Sequence, residues 1–466
     1  MKRTFSILFF VFFCQILVFA QPELKAKLDK LLEEDFLKTS EVGISVYDLT
    51  DGKSLYTYQE NKLYRPASIQ KLITAITGLS VLGPDHFFST SFYHTGEIRN
   101  GVLYGDLYLV GGLDSEFIDP SMNGLIRMLS QSGIKSITGK FIADVSMTDS
   151  LYWGAGWSWD DAPYSFQPEI SPLMLQKGYV EIYAKPGKKG EPAELVCTPA
   201  SSYYTVKNQT VSNNPEKEDL DVTRRWMDKE NNILVTGNVQ SAKRLRITVS
   251  NSANFFMHTF MERAKENGIQ LPGYVYGELP KDSSAVFFAR LSHPFSLVLQ
   301  RAMKNSDNLS AEAILYNTAA KESGKKHLNR EEGVKVIQRV ISELGLNPKN
   351  YKLVDGCGVS LYNYVSPELL VAYLRYAYSQ KSIFDELYPA LPIAGVDGTL
   401  GGRMKEGKAY KNVHAKTGSV TGVSSLAGYA TASNGHIIAF SIINQNVMAT
   451  AKARAFQDKV CELLCE

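Results

Sequence analysis

The chain has 466 residues, 44% apolar and 21% charged, enough to bury a sizeable core and to set two or three domains as the expectation. Its 50 basic and 48 acidic side chains leave a net charge of +2, with no basic stripe or acidic tail, so nucleic-acid binding has no electrostatic footprint here. Five cysteines and seven scattered histidines exclude a disulfide scaffold, and no Cys-x-x-Cys or His-Glu-x-x-His pattern offers a metal site or asks for a cofactor.

Lys2 and Arg3 precede an apolar run from Phe5 to Phe19, broken only by Ser6, Cys14 and Gln15. It ends in Val18-Phe19-Ala20 before Gln21, the pattern of an export signal over 1–20 cut after Ala20. The run is shorter than the ~20 residues of a membrane span, and no second stretch is long enough. The expected location is therefore the periplasm or cell envelope, without a transmembrane anchor. Residues 22–37 read as an amphipathic helix, with Leu24, Leu28, Leu31 and Leu32 on one side. The runs 43–49 and 54–58 flank Asp51-Gly52, a hairpin signal. A helix opens after Pro66 and ends near Gly83-Pro84.

From 88 to 285 short β-like runs alternate with turns, as in Leu107-Tyr108-Leu109-Val110 and Phe141-Ile142-Ala143-Asp144. A helical piece lies at 125–132, and the polar stretch 208–221 reads as a loop or linker. Trp153, Trp157 and Trp159, with Asp160 and Asp161, suit packing and capping. Helical periodicity resumes at Pro294, with a helix over 331–344. Strands over 425–431 and 436–443 surround Ser433-Asn434-Gly435, and a helix over 450–464 closes the chain. Cys461 and Cys465 suit packing on it at least as well as bonding; the sequence leaves their pairing, and that of Cys197 and Cys357, open. Strands from the two ends of the chain are expected in one antiparallel sheet with helices on both faces, an α+β fold.

Ser68 and Lys71 stand one turn apart at the start of the helix after Pro66. A serine hydroxyl needs a base to become a nucleophile, and a lysine serves if it is neutral. The Ser68 amide, a first-turn donor, is available to an oxyanion. The pattern is weak alone, since Ser-x-x-Lys recurs at Ser132–Lys135 and Ser323–Lys326. It gains weight from order: Ser306-Asp307-Asn308 follows, then Lys416-Thr417-Gly418-Ser419, where Lys-Thr-Gly occurs once in the chain.

This ordered set is the signature of penicillin-binding proteins and serine β-lactamases. The chain resembles low-molecular-mass penicillin-binding proteins of the D-alanyl-D-alanine carboxypeptidase/endopeptidase type, peptidase family S13, over nearly all of its mature length. Supporting stretches are Tyr64-Arg65-Pro66-Ala67-Ser68, Gly105-Asp106-Leu107-Tyr108, Gly111-Gly112-Leu113-Asp114, Gly156-Trp157-Ser158-Trp159-Asp160-Asp161, Asp355-Gly356-Cys357-Gly358-Val359-Ser360 and Gly395-Val396-Asp397-Gly398-Thr399-Leu400. Cys357 stands where that family more often has serine or another small residue, and the Gly111 stretch lacks a usual third glycine.

The resemblance implies a β-lactamase/transpeptidase-like catalytic domain, 21–87 with 286–466, made discontinuous by a large β-rich insertion over 88–285. It also implies a serine DD-peptidase that acts on peptidoglycan stem peptides, releases terminal D-Ala or cleaves D-Ala cross-links, and is acylated by β-lactams. Ser68 would be the nucleophile and Lys71 its base. Ser306 would relay a proton, Asn308 would orient Lys71 and a substrate amide, and Lys416 with Thr417 would meet a terminal carboxylate. Gly418 would let the backbone approach the substrate, and the Ser419 amide would complete the oxyanion hole. An acidic residue of the insertion, Asp144, would read a substrate amine, or else end its strand as a turn aspartate. The alternatives are a serine β-lactamase and a non-catalytic cell-wall protein of the same fold.

Overall fold

A computed structural model describes residues 23–282 and 284–466, so the export-signal expectation for 1–20 lies outside the described residues. Contacts divide the chain into two compact units. Among the described residues, the first comprises 23–80, 299–307 and 334–466; the second comprises 81–298 and 308–333. Residues 81–87, 286–298 and 308–333, expected with the catalytic domain, count with the second unit. The strand Val286–Pro294 pairs with Phe87–His94 as an edge of the second unit's sheet, and the helix Asn308–Ser323 also counts with that unit.

The first unit is built on a five-stranded antiparallel sheet. Its strands are β1 (Glu41–Asp48), β2 (Lys53–Tyr58), β3 (His414–Val420), β4 (Val423–Thr431) and β5 (Ile437–Gln445), in the spatial order β3-β4-β5-β1-β2. The two ends of the chain meet where β1 pairs with β5 from Glu41↔Gln445 to Asp48↔Ile438. Asp48 Oδ1 accepts from the amides of Thr50 and Asp51, which explains the tight β1–β2 turn. Side chains alternate between the sheet's faces. Leu426, Ala430, Ile438, Phe440 and Ile442 share one core with Phe456, Val460 and Leu464 of the C-terminal helix Thr450–Leu464. On the other face Tyr429 donates to the Leu374 carbonyl of the helix Pro367–Ser379. Burying each of these large apolar side chains stabilises the fold by roughly 1.5–3 kcal/mol.

The second unit holds a mixed five-stranded sheet in the order 275–276, 141–144, 107–111, 87–94, 286–294, together with three three-stranded sheets. Its core gathers Phe92, Leu109, Phe141, Phe255, Phe256 and Phe260. Two sequence expectations are corrected here. The stretch expected as a loop begins as the strand Thr205–Ser212, paired in parallel with Asn232–Val239; its largely exposed polar side chains hide the alternation. The helix Ser252–Glu266 was not anticipated; it starts with Asn251, whose side chain accepts from the Asn254 amide. Among the described residues, no helix is long and apolar enough to cross a membrane.

Candidate active site

Ser68 lies in the 3₁₀ turn Ala67–Ile69, directly before the helix Gln70–Leu82. Ala67 has φ 51°, a left-handed conformation that costs a non-glycine residue free energy and persists only when the surroundings fix it. The strand β3 lies against this turn: Ser425 of β4 donates to the Pro66 carbonyl at 2.6 Å. A Cβ placed on Gly418 would stand 2.8 Å from that carbonyl oxygen and 2.9 Å from the Ser68 amide nitrogen. Glycine is therefore what lets the two backbones meet here.

Lys71 follows one turn into the helix and is fully buried. Its Nζ donates to Ser68 Oγ at 2.9 Å and to the Cys357 carbonyl at 2.7 Å. The latter contact comes from a loop fixed by Asp355, whose carboxylate accepts from the amides of Gly358 and Ser360 and from Asn363 Nδ2. Sequence reasoning noted this loop but gave it no role, because a backbone carbonyl leaves no signature in residue type.

Lys416 points from β3 and is also fully buried. Its Nζ donates to Ser306 Oγ and to the Thr417 carbonyl, each at 2.8 Å. Ser306, like Ala67, holds a left-handed backbone, φ 57°. Burial pushes the Lys416 pKa well below that of a free lysine, and the Lys71 charge adds to the shift. The first unit thus brings together Ser68, Lys71, Ser306, Lys416, Thr417, Gly418 and Ser419: two serines, each hydrogen-bonded to a buried lysine, and an edge strand with its backbone close to the first serine. Such an arrangement can deprotonate a hydroxyl, hold an oxyanion and receive an anion.

Asn308 and Asp144 belong to the second unit. Asn308 opens the helix Asn308–Ser323, and its Nδ2 donates to the Phe166 carbonyl at 2.7 Å. Asp144 ends the strand Phe141–Asp144, buried at 1% exposure. Its Oδ1 accepts from the amide and hydroxyl of Ser146, and its Oδ2 accepts from the Leu279 amide at 2.6 Å, with Lys326 Nζ at 3.5 Å. All four cysteines among the described residues are free. Asp48, Asp51 and His436 gather within ligating distance of one another, but Asp48 already serves the β1–β2 turn and His436.

The model of the D-Ala-D-Ala carboxypeptidase 3 (S13) family matches residues 24–466. The chain is 31% identical over 464 residues to a D-alanyl-D-alanine carboxypeptidase of Actinomadura sp. (strain R39), covering 95% of this chain and 85% of that protein. It is 28% identical over 411 residues to the D-alanyl-D-alanine carboxypeptidase DacB of Haemophilus influenzae, covering 86% and 84%. The crystal structure of penicillin-binding protein 4 from H. influenzae superimposes with a TM-score of 0.81 at 24% identity, covering 94% of this chain and 99% of that one. The same protein complexed with a novel β-lactam gives a TM-score of 0.75 at 24% identity, covering 93% and 98%.

Proposed function

Because the chain belongs to the D-Ala-D-Ala carboxypeptidase 3 (S13) family, we propose that Ser68 is the nucleophile through which this serine-type carboxypeptidase cleaves the D-Ala-D-Ala bond of peptidoglycan stem peptides. The observation that carries this assignment is the 2.9 Å hydrogen bond between Ser68 Oγ and the buried Lys71 amine. Neutral Lys71 takes the hydroxyl proton as Oγ attacks the penultimate D-Ala carbonyl. The oxyanion forms between the amides of Ser68 and Ser419, where a lost donor costs ~10²–10³ in rate. Collapse breaks the peptide bond, and the leaving D-Ala amine receives a proton through Ser306, leaving an acyl group on Ser68. Water then attacks this ester and releases the shortened peptide, and the serine recovers its proton.

Lys416 and Thr417 receive the terminal carboxylate. Lys416 holds its proton weakly, because it is buried and lies beside the Lys71 charge; an arriving carboxylate favours its charged form. Substrate binding and the protonation of Lys416 are therefore coupled. Asn308 keeps its role as the orienting amide on the strength of its motif. Asp144 is in this reading a structural carboxylate, since both its oxygens are taken up within its own unit. The leader over 1–20 would send the chain to the periplasm or cell envelope. A β-lactam, with its strained amide and carboxylate, would acylate Ser68 in place of the peptide. Relatives named penicillin-sensitive carboxypeptidase A and penicillin-binding protein 4 support that extension.

Mass spectrometry of cross-linked and uncross-linked muropeptides after incubation with the protein tests this reading. Loss of one D-Ala, scission of the cross-link, or both, should depend on Ser68. A Ser68→Ala protein with more than a tenth of wild-type turnover would move the nucleophile elsewhere, against the far larger loss expected when a nucleophile is removed.

A further inference from the structure

Thr417 has a neighbour outside the three motifs. Its Oγ1 lies 2.7 Å from Thr399 Oγ1. Thr399 is exposed and Thr417 partly so, which makes both hydroxyls reachable by a ligand. Thr399 sits in the 3₁₀ turn Gly398–Leu400, and the turn is braced. Asp397, the residue before it, receives Lys304 Nζ on both carboxylate oxygens at 2.8 and 2.7 Å, and Oδ1 also accepts from the Ile393 amide at 2.9 Å. Gly398 has φ +55°, and a Cβ there would stand 2.8 Å from the Lys304 carbonyl oxygen, so this close passage requires glycine. Lys304 ends the helix Phe295–Lys304, two residues before Ser306. The segment that presents Ser306 and the turn that presents Thr399 are thus tied together within the first unit.

The ion pair has an electrostatic consequence. Asp397 is two residues from Thr399, and an unpaired carboxylate there would repel an anion approaching the two hydroxyls. Lys304, only 13% exposed, cancels that charge.

We propose that Thr399 is a second hydroxyl of the carboxylate site, paired with Thr417 to receive the terminal carboxylate of the peptide or the β-lactam. This rests on the reading of Ser68 and Lys416 given above. The two hydroxyls bond to each other. When a carboxylate arrives, the hydroxyl rotors turn and each donates to it; no backbone movement is needed, because the brace already sets their spacing. Hydrogen bonds to a charged acceptor are the stronger kind, so Thr399 separates carboxylate-bearing ligands from the same ligands without the charge.

The test compares acylation rate constants of the full chain with benzylpenicillin and with its methyl ester, for wild type, Thr399→Val and Thr399→Ser. Valine should slow acylation by the acid about tenfold or more, the effect of one hydrogen bond to a charged group, and slow the ester, which offers only a neutral acceptor, several-fold less. Serine, which keeps the hydroxyl, should restore the acid rate. Equal slowing of acid and ester, no slowing of either, or a serine variant as slow as valine would overturn the proposal and leave Ser68 as the nucleophile. A wild-type protein that forms no penicillin adduct would instead overturn the Ser68 reading, and this inference with it.

Discussion

Lys416 and Lys71 are two fully buried amines in one unit, and the Lys71 charge lowers the proton affinity of Lys416 after burial has already done so. Repulsion is mutual, so each lysine is harder to charge while the other is charged, and the pair titrates as a coupled site. Acylation by an uncharged β-lactam ester should rise with pH as the pair gives up its proton. In Lys416→Gln the repulsion is gone, the remaining amine keeps its proton to higher pH, and the midpoint of that rise should move upward. A midpoint that stays in place would leave burial and the helix start to keep Lys71 neutral. Asp144 offers a second test. Asp144→Ala strips the acceptor from Ser146 and Leu279, which should cost about 1–3 kcal/mol of stability in denaturant unfolding. Peptide hydrolysis and penicillin acylation by the folded protein should then change together. A selective loss on amine-bearing peptides would return Asp144 to substrate recognition.

Strand β3 works by where its backbone runs, and Gly418 is what permits that course. In Gly418→Ala the methyl meets Ser425 Oγ, the Pro66 carbonyl and the Ser68 amide, so the strand or the serine turn must shift. Acylation should fall ~10²–10³-fold, as when an oxyanion donor is lost, while far-ultraviolet circular dichroism stays that of wild type; near-normal acylation would mean that the close approach is dispensable. Such approaches are only half legible in sequence. Lys416-Thr417-Gly418 announced a close backbone approach through its glycine, and Asp51-Gly52 and Asn434-Gly435 marked two of the three hairpins of the sheet, because these turns need particular residues; the third, between Val420 and Val423, went unseen. Thr205–Ser212 went unseen, since its side chains are mostly polar and exposed and its pairing lies with a distant parallel strand. The Cys357 carbonyl on Lys71 went unseen because any residue could have supplied it. Thr399 lies inside the Gly395-Val396-Asp397-Gly398-Thr399-Leu400 stretch that carries the family resemblance, but its meeting with Thr417 is a product of folding alone.

Across the whole chain, the catalytic sheet closes only when residues 41–48 pair with residues 437–445, so the Ser68 turn and the Lys416 strand come together late in synthesis. The sequence implied this long-range pairing through strand-like apolar runs at both ends. It did not imply the exact division into units, because whether Val286–Pro294 joins the sheet upstream or downstream of it depends on its partner strand, Phe87–His94. Intact-mass and peptide-level mass spectrometry of the protein after exposure to benzylpenicillin tests whether Ser68, activated by Lys71, forms the acyl-enzyme. One added penicillin per chain, on the peptide containing Ser68 and absent in Ser68→Ala, is the expected result; an adduct on another residue, or an equal adduct in Ser68→Ala, would contradict it.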